Sequence, residues 1–418
     1  MVVGTIIGAS IFVQPSAVTG AVPSVAAVFG VWIAAGVLTL FGALICAELA
    51  SAFPRTGGVY VFLNRSFSPL LGFLWGWAMF WTMHSGIIAA ISMVFARYAG
   101  YLLPLGDAAT KAVAVATILL LSAVNYAGVH HGSALQTWFT VGKVGAVLLI
   151  IVAGFWLGAD LPQHFVGPAG DVQVTVRGMV VGVIAGLFAF GGWHMVTYAA
   201  EETVEPKHTL PRALFAGTLL VTFCYLALNA VYLYVLPFDV VARSHRVAAD
   251  AADALLGRGG GAFMAGLVMF STFGALSGIV LAGPRVYFQM ARDGLLFSWL
   301  GRVHPAYRTP YLAIALQGLW SSILVLTGTY EVLFTRVIYT EWIFFALMAV
   351  GLILLRKRPD YAPVYRVPGY PWIPAAFASV SFGIVANQII SEPVESATGL
   401  LFVALGWPAY LLWRKFKQ

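Results

Sequence analysis

Charge is what this sequence has least of. Lysine, arginine, aspartate and glutamate make up only 9% of the 418 residues, too little polar surface to cover a water-facing globule of that length. Cysteine is nearly as scarce. Cys46 and Cys224 are the only two, each inside an apolar run, which excludes a disulfide framework and a cysteine-based metal site. The His130-His131 pair has no further ligand at metal spacing, so no metal is expected there. Gly57-Gly58 is a turn, far too short a signal for nucleotide binding. Residues 1–20 lack the charged leader and the small-x-small cleavage site of a signal peptide. What fills the chain instead is hydrocarbon. Hydrophobic residues reach 61% and mean hydropathy is +0.89, which marks an all-α polytopic membrane protein. Its formal charge of +7 is then read by loop position and not as a nucleic-acid signal.

Apolar runs fall at 1–20, 24–50, 67–100, 108–127, 133–158, 178–201, 210–236, 260–284, 310–328, 331–355, 372–391 and 396–413. Each is near the roughly twenty residues a bilayer needs, so twelve transmembrane spans are expected, with both termini on one side. Most of the 23 lysines and arginines fall in the loops of that side, among them Arg55, Arg65, Lys207, Arg285, Arg292 and Arg356. The opposite loops hold only Arg97, Lys111, Arg177, Arg243, Arg246 and Arg258. The positive-inside rule therefore makes the termini cytoplasmic in the cell's inner (plasma) membrane. Residues 243–257 and 285–304 have amphipathic helical spacing and read as helices lying at the two interfaces.

Two spans are interrupted. Gly4, Gly8, Ala9 and Ser10 sit in the middle of the first, with Pro15 behind them, and Gly191-Gly192 interrupts the sixth. Glycine weakens a helix and proline removes a donor, and freed backbone groups at membrane depth are tolerated only beside protein or a water-filled cavity. Spans one and six each begin a five-span unit. Matching breaks in two halves point to an inverted-repeat transporter with a site at the midplane. Half-helix N-termini suit a carboxylate and unwound carbonyls suit an ammonium, so the ligand expected is an α-amino acid.

Lys143 is the strongest single charge, an ammonium in the middle of span five. Such a group is a functional candidate by default, and carbonyls from the broken first helix are its expected partners. Glu341 and Arg336, five apart, could form an ion pair or a proton relay. Glu48, Glu201 and Glu202 lie near helix ends, where pairing with Arg55 or Lys207 is expected, and His84 is expected to pack. A channel would need a charge ring or filter repeat, and a membrane redox enzyme would need facing histidine pairs or carboxylates. Neither pattern is present, so no enzyme activity and no cofactor are expected.

Four stretches carry a family resemblance: GTIIGASIF (4–12), GALICAELASAFPRTGGVYVFL (42–63), FAFGGWHMVTYAAEETVEPKHTLPRA (188–213) and STFGALSGIVLAGPRVYF (271–288). Together they resemble the amino acid–polyamine–organocation permeases, and within them the L-type amino acid transporter family with its bacterial serine/threonine-exchanger-like members. The resemblance implies a LeuT-type fold of five-plus-five inverted repeats followed by two extra helices. That is a single permease domain, 1–414, divided as 1–158, 178–358 and 372–414. It implies that a substrate carboxylate meets the backbone at Gly8, Ala9, Ser10 and Ile11. The ammonium then meets carbonyls at Ile6, Phe188 and Gly191, with the Phe188 ring as a gate and Trp342 near the site. Lys143 matches a lysine that takes the place of a sodium ion in sodium-independent relatives. Ser85, His194, Ala275, Ser277 and Trp342 are expected around the substrate side chain. His194 stands where an asparagine is common, and Glu341 where a neutral residue is usual. The chain begins inside its first span, so the native start is expected upstream of Met1. The function implied is sodium-independent exchange of neutral L-amino acids by alternating access. Proton-coupled symport, and antiport of polyamines or cationic amino acids, are the alternatives. Substrate and bilayer are the expected partners, with no nucleic acid and no obligatory protein.

Overall fold

The computed structural model describes the chain except residues 9, 160–164, 166, 168–172, 245, 258, 329 and 418, and the side chains of 101, 129–131, 330–338, 416 and 417. All regular structure among these residues is helical. The first apolar run comes in pieces: α1 (Val2–Ile6), a 3-10 turn at Ser10–Phe12, and α2 (Gln14–Ala21) with Pro15 in its first turn. There a missing N–H costs nothing, because the first turn's donors have no helical partner anyway. α3 (Val25–Ala52) begins where the Ser24 hydroxyl accepts the Ala27 N–H at 3.1 Å. α4 (Val59–Ser66) comes after the Gly57-Gly58 turn. α5 (Pro69–Ala78) and α6 (His84–Leu102) form one long span joined by a π-helical turn at Met79–Met83. α7 (Asp107–Tyr126), α8 (Val129–Leu157) and α9 (Val176–Ala189) complete the first part of the chain.

The sixth apolar run breaks directly after α9. A helical continuation from Trp193 is expected from the sequence, and the segment beyond the glycines takes the form of a 3-10 helix, Trp193–Glu202. α10 (Pro206–Val235) comes next, then the short α11 (Phe238–Arg243) and α12 (Val247–Leu256). α13 (Gly260–Ala282) runs on through Gly283 into α14 (Pro284–Arg292). α15 (Tyr311–Thr327), α16 (Tyr330–Leu355), α17 (Trp372–Ser391), α18 (Pro393–Ala404) and α19 (Gly406–Lys417) close the chain.

The two stretches expected as interfacial helices take different forms. Residues 285–292 prolong α13 inward, and Arg285 is buried there because a carboxylate meets it. Within 243–257 the helix starts only at Val247, and its alanine face is buried against α13. Nine helical segments among the described residues are long and apolar enough to cross a membrane, and Tyr311–Thr327 and Tyr339–Leu355 are shorter apolar helices.

Packing places α1 at the centre. It touches α8, α10, α13 and the 3-10 helix, and Val2, Gly4, Thr5, Ile6 and Ile7 are all buried. α3 lies along α10 and α6 along α13. A break in α1 therefore opens into the interior and not towards lipid.

Candidate functional site

The interruption of α1 leaves carbonyl groups pointing where no water reaches, and each needs a donor. Ile7 is extended at φ −69°, ψ 98°. Lys143, 1% exposed on α8, donates from Nζ to the carbonyls of Gly4 at 2.9 Å and Ile7 at 2.8 Å. A lysine reaching the interface would lie along lipid with its amine in water; this one ends inside, on backbone oxygen. Tyr225 of α10 serves both breaks at once. Its hydroxyl lies 3.0 Å from the Ile6 carbonyl and 3.1 Å from that of Ala189. The Thr5 hydroxyl lies 3.1 Å from the Gly192 carbonyl. The two broken helices are thus tied to one another.

Gly192 explains why the second break needs glycine. Its φ is +94°, and a Cβ there would lie 2.9 Å from the Thr5 carbonyl oxygen. Gly191 is different: a Cβ there meets only the Phe188 carbonyl, at 3.4 Å.

Between the breaks lies a cavity of about 230 Å³. Ile6, Gly8, Ser10, Phe188, Gly191, His194 and Trp342 all line it, together with Ala275 and Glu341. Ile11 does not line it and is fully buried in the apolar core. Ala9 lies outside the described residues. Lys143 stands behind the cavity wall, on the far side of α1's carbonyls. The Ile6 carbonyl already accepts from Tyr225 and keeps one lone pair, while the Phe188 carbonyl accepts the Gly191 N–H at 3.3 Å. Ser85 and Ser277 are not at the cavity; Ser85 bonds the Phe80 carbonyl at 2.6 Å.

His194 and Glu341 bring polarity to a mostly apolar wall. Nε2 of His194 lies 3.6 Å from Oε1 of Glu341. The imidazole is boxed by aromatic rings, with Phe345 at 4.9 Å, Trp193 at 5.4 Å, Tyr198 at 5.5 Å and Trp75 at 6.0 Å between centroids. The expected pairing of Glu341 with Arg336 involves a side chain outside the described ones, as do those of His130 and His131. No group of metal-ligating side chains occurs among the described residues.

The acidic residues near helix ends do pair, with partners other than those expected. Glu202 takes Arg285 in a two-pronged bond, both contacts 2.7 Å, and Arg285 also donates to the Leu281 carbonyl. Glu201 meets Arg292 at 3.2 Å, Arg55 meets Asp293 at 3.5 Å, and Glu48 is held by Arg356. The reason is distance along the chain: α14 and the end of α16 fold back onto these helix ends, which loop-by-loop reading cannot see. Burial, and then the Asp293 carboxylate, push the Tyr60 phenol above its ordinary pKa, so it stays a donor to Asp293 at 2.9 Å. This cluster ties α4, the 3-10 helix and α14 together at one end of the molecule.

Tyr225 and Thr5 were not legible as site residues. A phenol in the middle of an apolar span is the one signal that could have pointed to Tyr225, by the argument used for Lys143.

An amino acid permease family model matches residues 1–410. The chain is 32% identical over 421 residues to the serine/threonine exchanger SteT of Bacillus subtilis, covering 100% of this chain and 95% of that protein. It is 30% identical over 424 residues to the b(0,+)-type amino acid transporter 1 of Mus musculus, covering 100% of this chain and 86% of that one. Identity to the large neutral amino acids transporter small subunit 2 of Rattus norvegicus is 32% over 434 residues, covering 99% and 78%.

Proposed function

From the premise that the chain belongs to the amino acid permease family, we propose that it exchanges neutral L-amino acids across the plasma membrane by alternating access, without sodium. Counting the broken first helix and the two shorter apolar helices with the nine long ones gives twelve spans, read as five-plus-five inverted repeats and two extra helices. Lys143 is the observation that carries the reading. Its ammonium holds the Gly4 and Ile7 carbonyls, oxygens of the kind that would otherwise coordinate a monovalent cation, so a fixed charge replaces a diffusible one.

The substrate lies in the cavity between the breaks, its carboxylate at the backbone of Gly8 and Ser10 and its ammonium at the carbonyls of Ile6, Phe188 and Gly191. The Phe188 ring and Trp342 close over it. The ion-pair cluster of Glu201, Glu202, Arg285 and Arg292 closes the cytoplasmic end and separates when the site turns inward. The names of two relatives, a serine/threonine exchanger and a large neutral amino acids transporter, support neutral substrates. One observation favours proton coupling as a second reading, the titratable pair His194–Glu341 on the cavity wall.

Purified chain in liposomes, with no partner protein added, separates these. Exchange predicts uptake of labelled neutral amino acid only into vesicles preloaded with unlabelled amino acid. Uptake into empty vesicles driven by a pH gradient would replace exchange with symport.

A further inference from the structure

Half-buried Ser10 and Gln14 add polar side chains to the cavity wall, but its buried, unpaired polar groups fall at one place. Its side chains are chiefly hydrocarbon and aromatic, such as Ile87, Ile91, Leu187, Phe188, Trp342 and Phe345. Thr5, also on the wall, spends its hydroxyl on backbone carbonyls. His194 and Glu341 do not. Both imidazole nitrogens and the Oε1 of Glu341 are buried without a hydrogen-bond partner, and 3.6 Å between Nε2 and Oε1 is too long for a bond. Each such group left dry weakens the protein that carries it, and a ligand able to satisfy it gains the difference.

Resting on the permease reading, we infer that His194 and Glu341 are the specificity-determining pair of the cavity, selecting neutral amino acids whose side chain ends in a hydroxyl or an amide over hydrocarbon side chains of the same size. The pair shares one proton beyond the N–H that a neutral imidazole already carries. With that proton on His194, both nitrogens donate and the carboxylate accepts. With it on Glu341, the carboxyl and one nitrogen each carry a donor and the other nitrogen accepts. A hydroxyl or an amide both gives and takes, so it completes the pair in either arrangement. An isopropyl or thioether side chain completes neither. The four rings around His194 hold the imidazole in place, so the pair cannot collapse on itself to satisfy its own groups.

Isosteres test this directly. Binding of L-threonine against L-valine, and of L-glutamine against L-methionine, is measured by calorimetry on the purified chain in lipid nanodiscs. Threonine and glutamine should bind about tenfold or more tighter than their partners. An apolar wall alone gives the reverse order. In Glu341→Leu the advantage should vanish and valine should equal or exceed threonine; where that variant does not fold, His194→Leu is read the same way. Valine and methionine at parity or better in the intact protein would overturn the selectivity and leave the transporter reading in place. So would an unchanged ratio in the variant. Binding of none of the four would instead strike at the transporter reading.

Discussion

Removing the amine of Lys143 leaves the Gly4 and Ile7 carbonyls without a donor in a place that water cannot supply. At about 1–3 kcal/mol for each orphaned group, Lys143→Ala should lower amino-acid exchange at least tenfold at matched protein level, with a smaller loss of thermal stability. Lys143→Arg should not restore it. The stem is closely packed: a Cβ on Gly274 would lie 2.7 Å from Lys143 Cε and 2.5 Å from Phe139 Cβ, so the larger guanidinium has no room to turn its fork onto the same oxygens. Normal exchange in both variants would mean the ammonium is not needed. Tyr225→Phe is the companion case, since it takes one hydroxyl from two carbonyls, Ile6 and Ala189, without changing shape. It should cost roughly 1–3 kcal/mol in stability, read as a lower unfolding temperature in detergent. At this scale the sequence was half readable. A lysine in the middle of an apolar run announces itself, whereas Glu341 beside His194 depends on how α16 meets the broken sixth span.

The two breaks behave differently under substitution. At Gly192 an added methyl meets both a positive φ and the Thr5 carbonyl at 2.9 Å, so Gly192→Ala should abolish ligand binding or folding. Gly191→Ala meets nothing nearer than 3.4 Å and should bind substrate within about threefold of the parent, since ordinary contact adds little strain. Equal effects of the two, measured by substrate-dependent thermal shift, would remove the backbone argument. Both breaks were legible because glycine pairs inside apolar runs have few other uses at membrane depth. The form of the continuation was not. The 3-10 geometry of Trp193–Glu202, whose first residues line the cavity, and the π-helical turn at Met79–Met83 are local departures that propensity does not encode.

Across the whole molecule, the helical architecture followed from composition and span length alone, while the ion pairs that close one end did not. They join helix ends far apart in the chain, Glu202 to Arg285 and Glu48 to Arg356. Arg285 is 2% exposed, so Glu202→Gln leaves a buried guanidinium without its countercharge. Fully buried pairs broken on one side lose about 3–5 kcal/mol; Glu202 is itself a third exposed, so a smaller loss of stability is expected here, again read by unfolding temperature. In the proposed exchange mechanism, the Lys143 amine on the Gly4 and Ile7 carbonyls takes the place of a diffusible cation. The most direct measurement is exchange by the intact protein in preloaded liposomes with external sodium replaced by choline. A sodium-independent exchanger predicts the same rate in both media, and a steep fall without sodium would contradict the assignment of Lys143 as the resident cation.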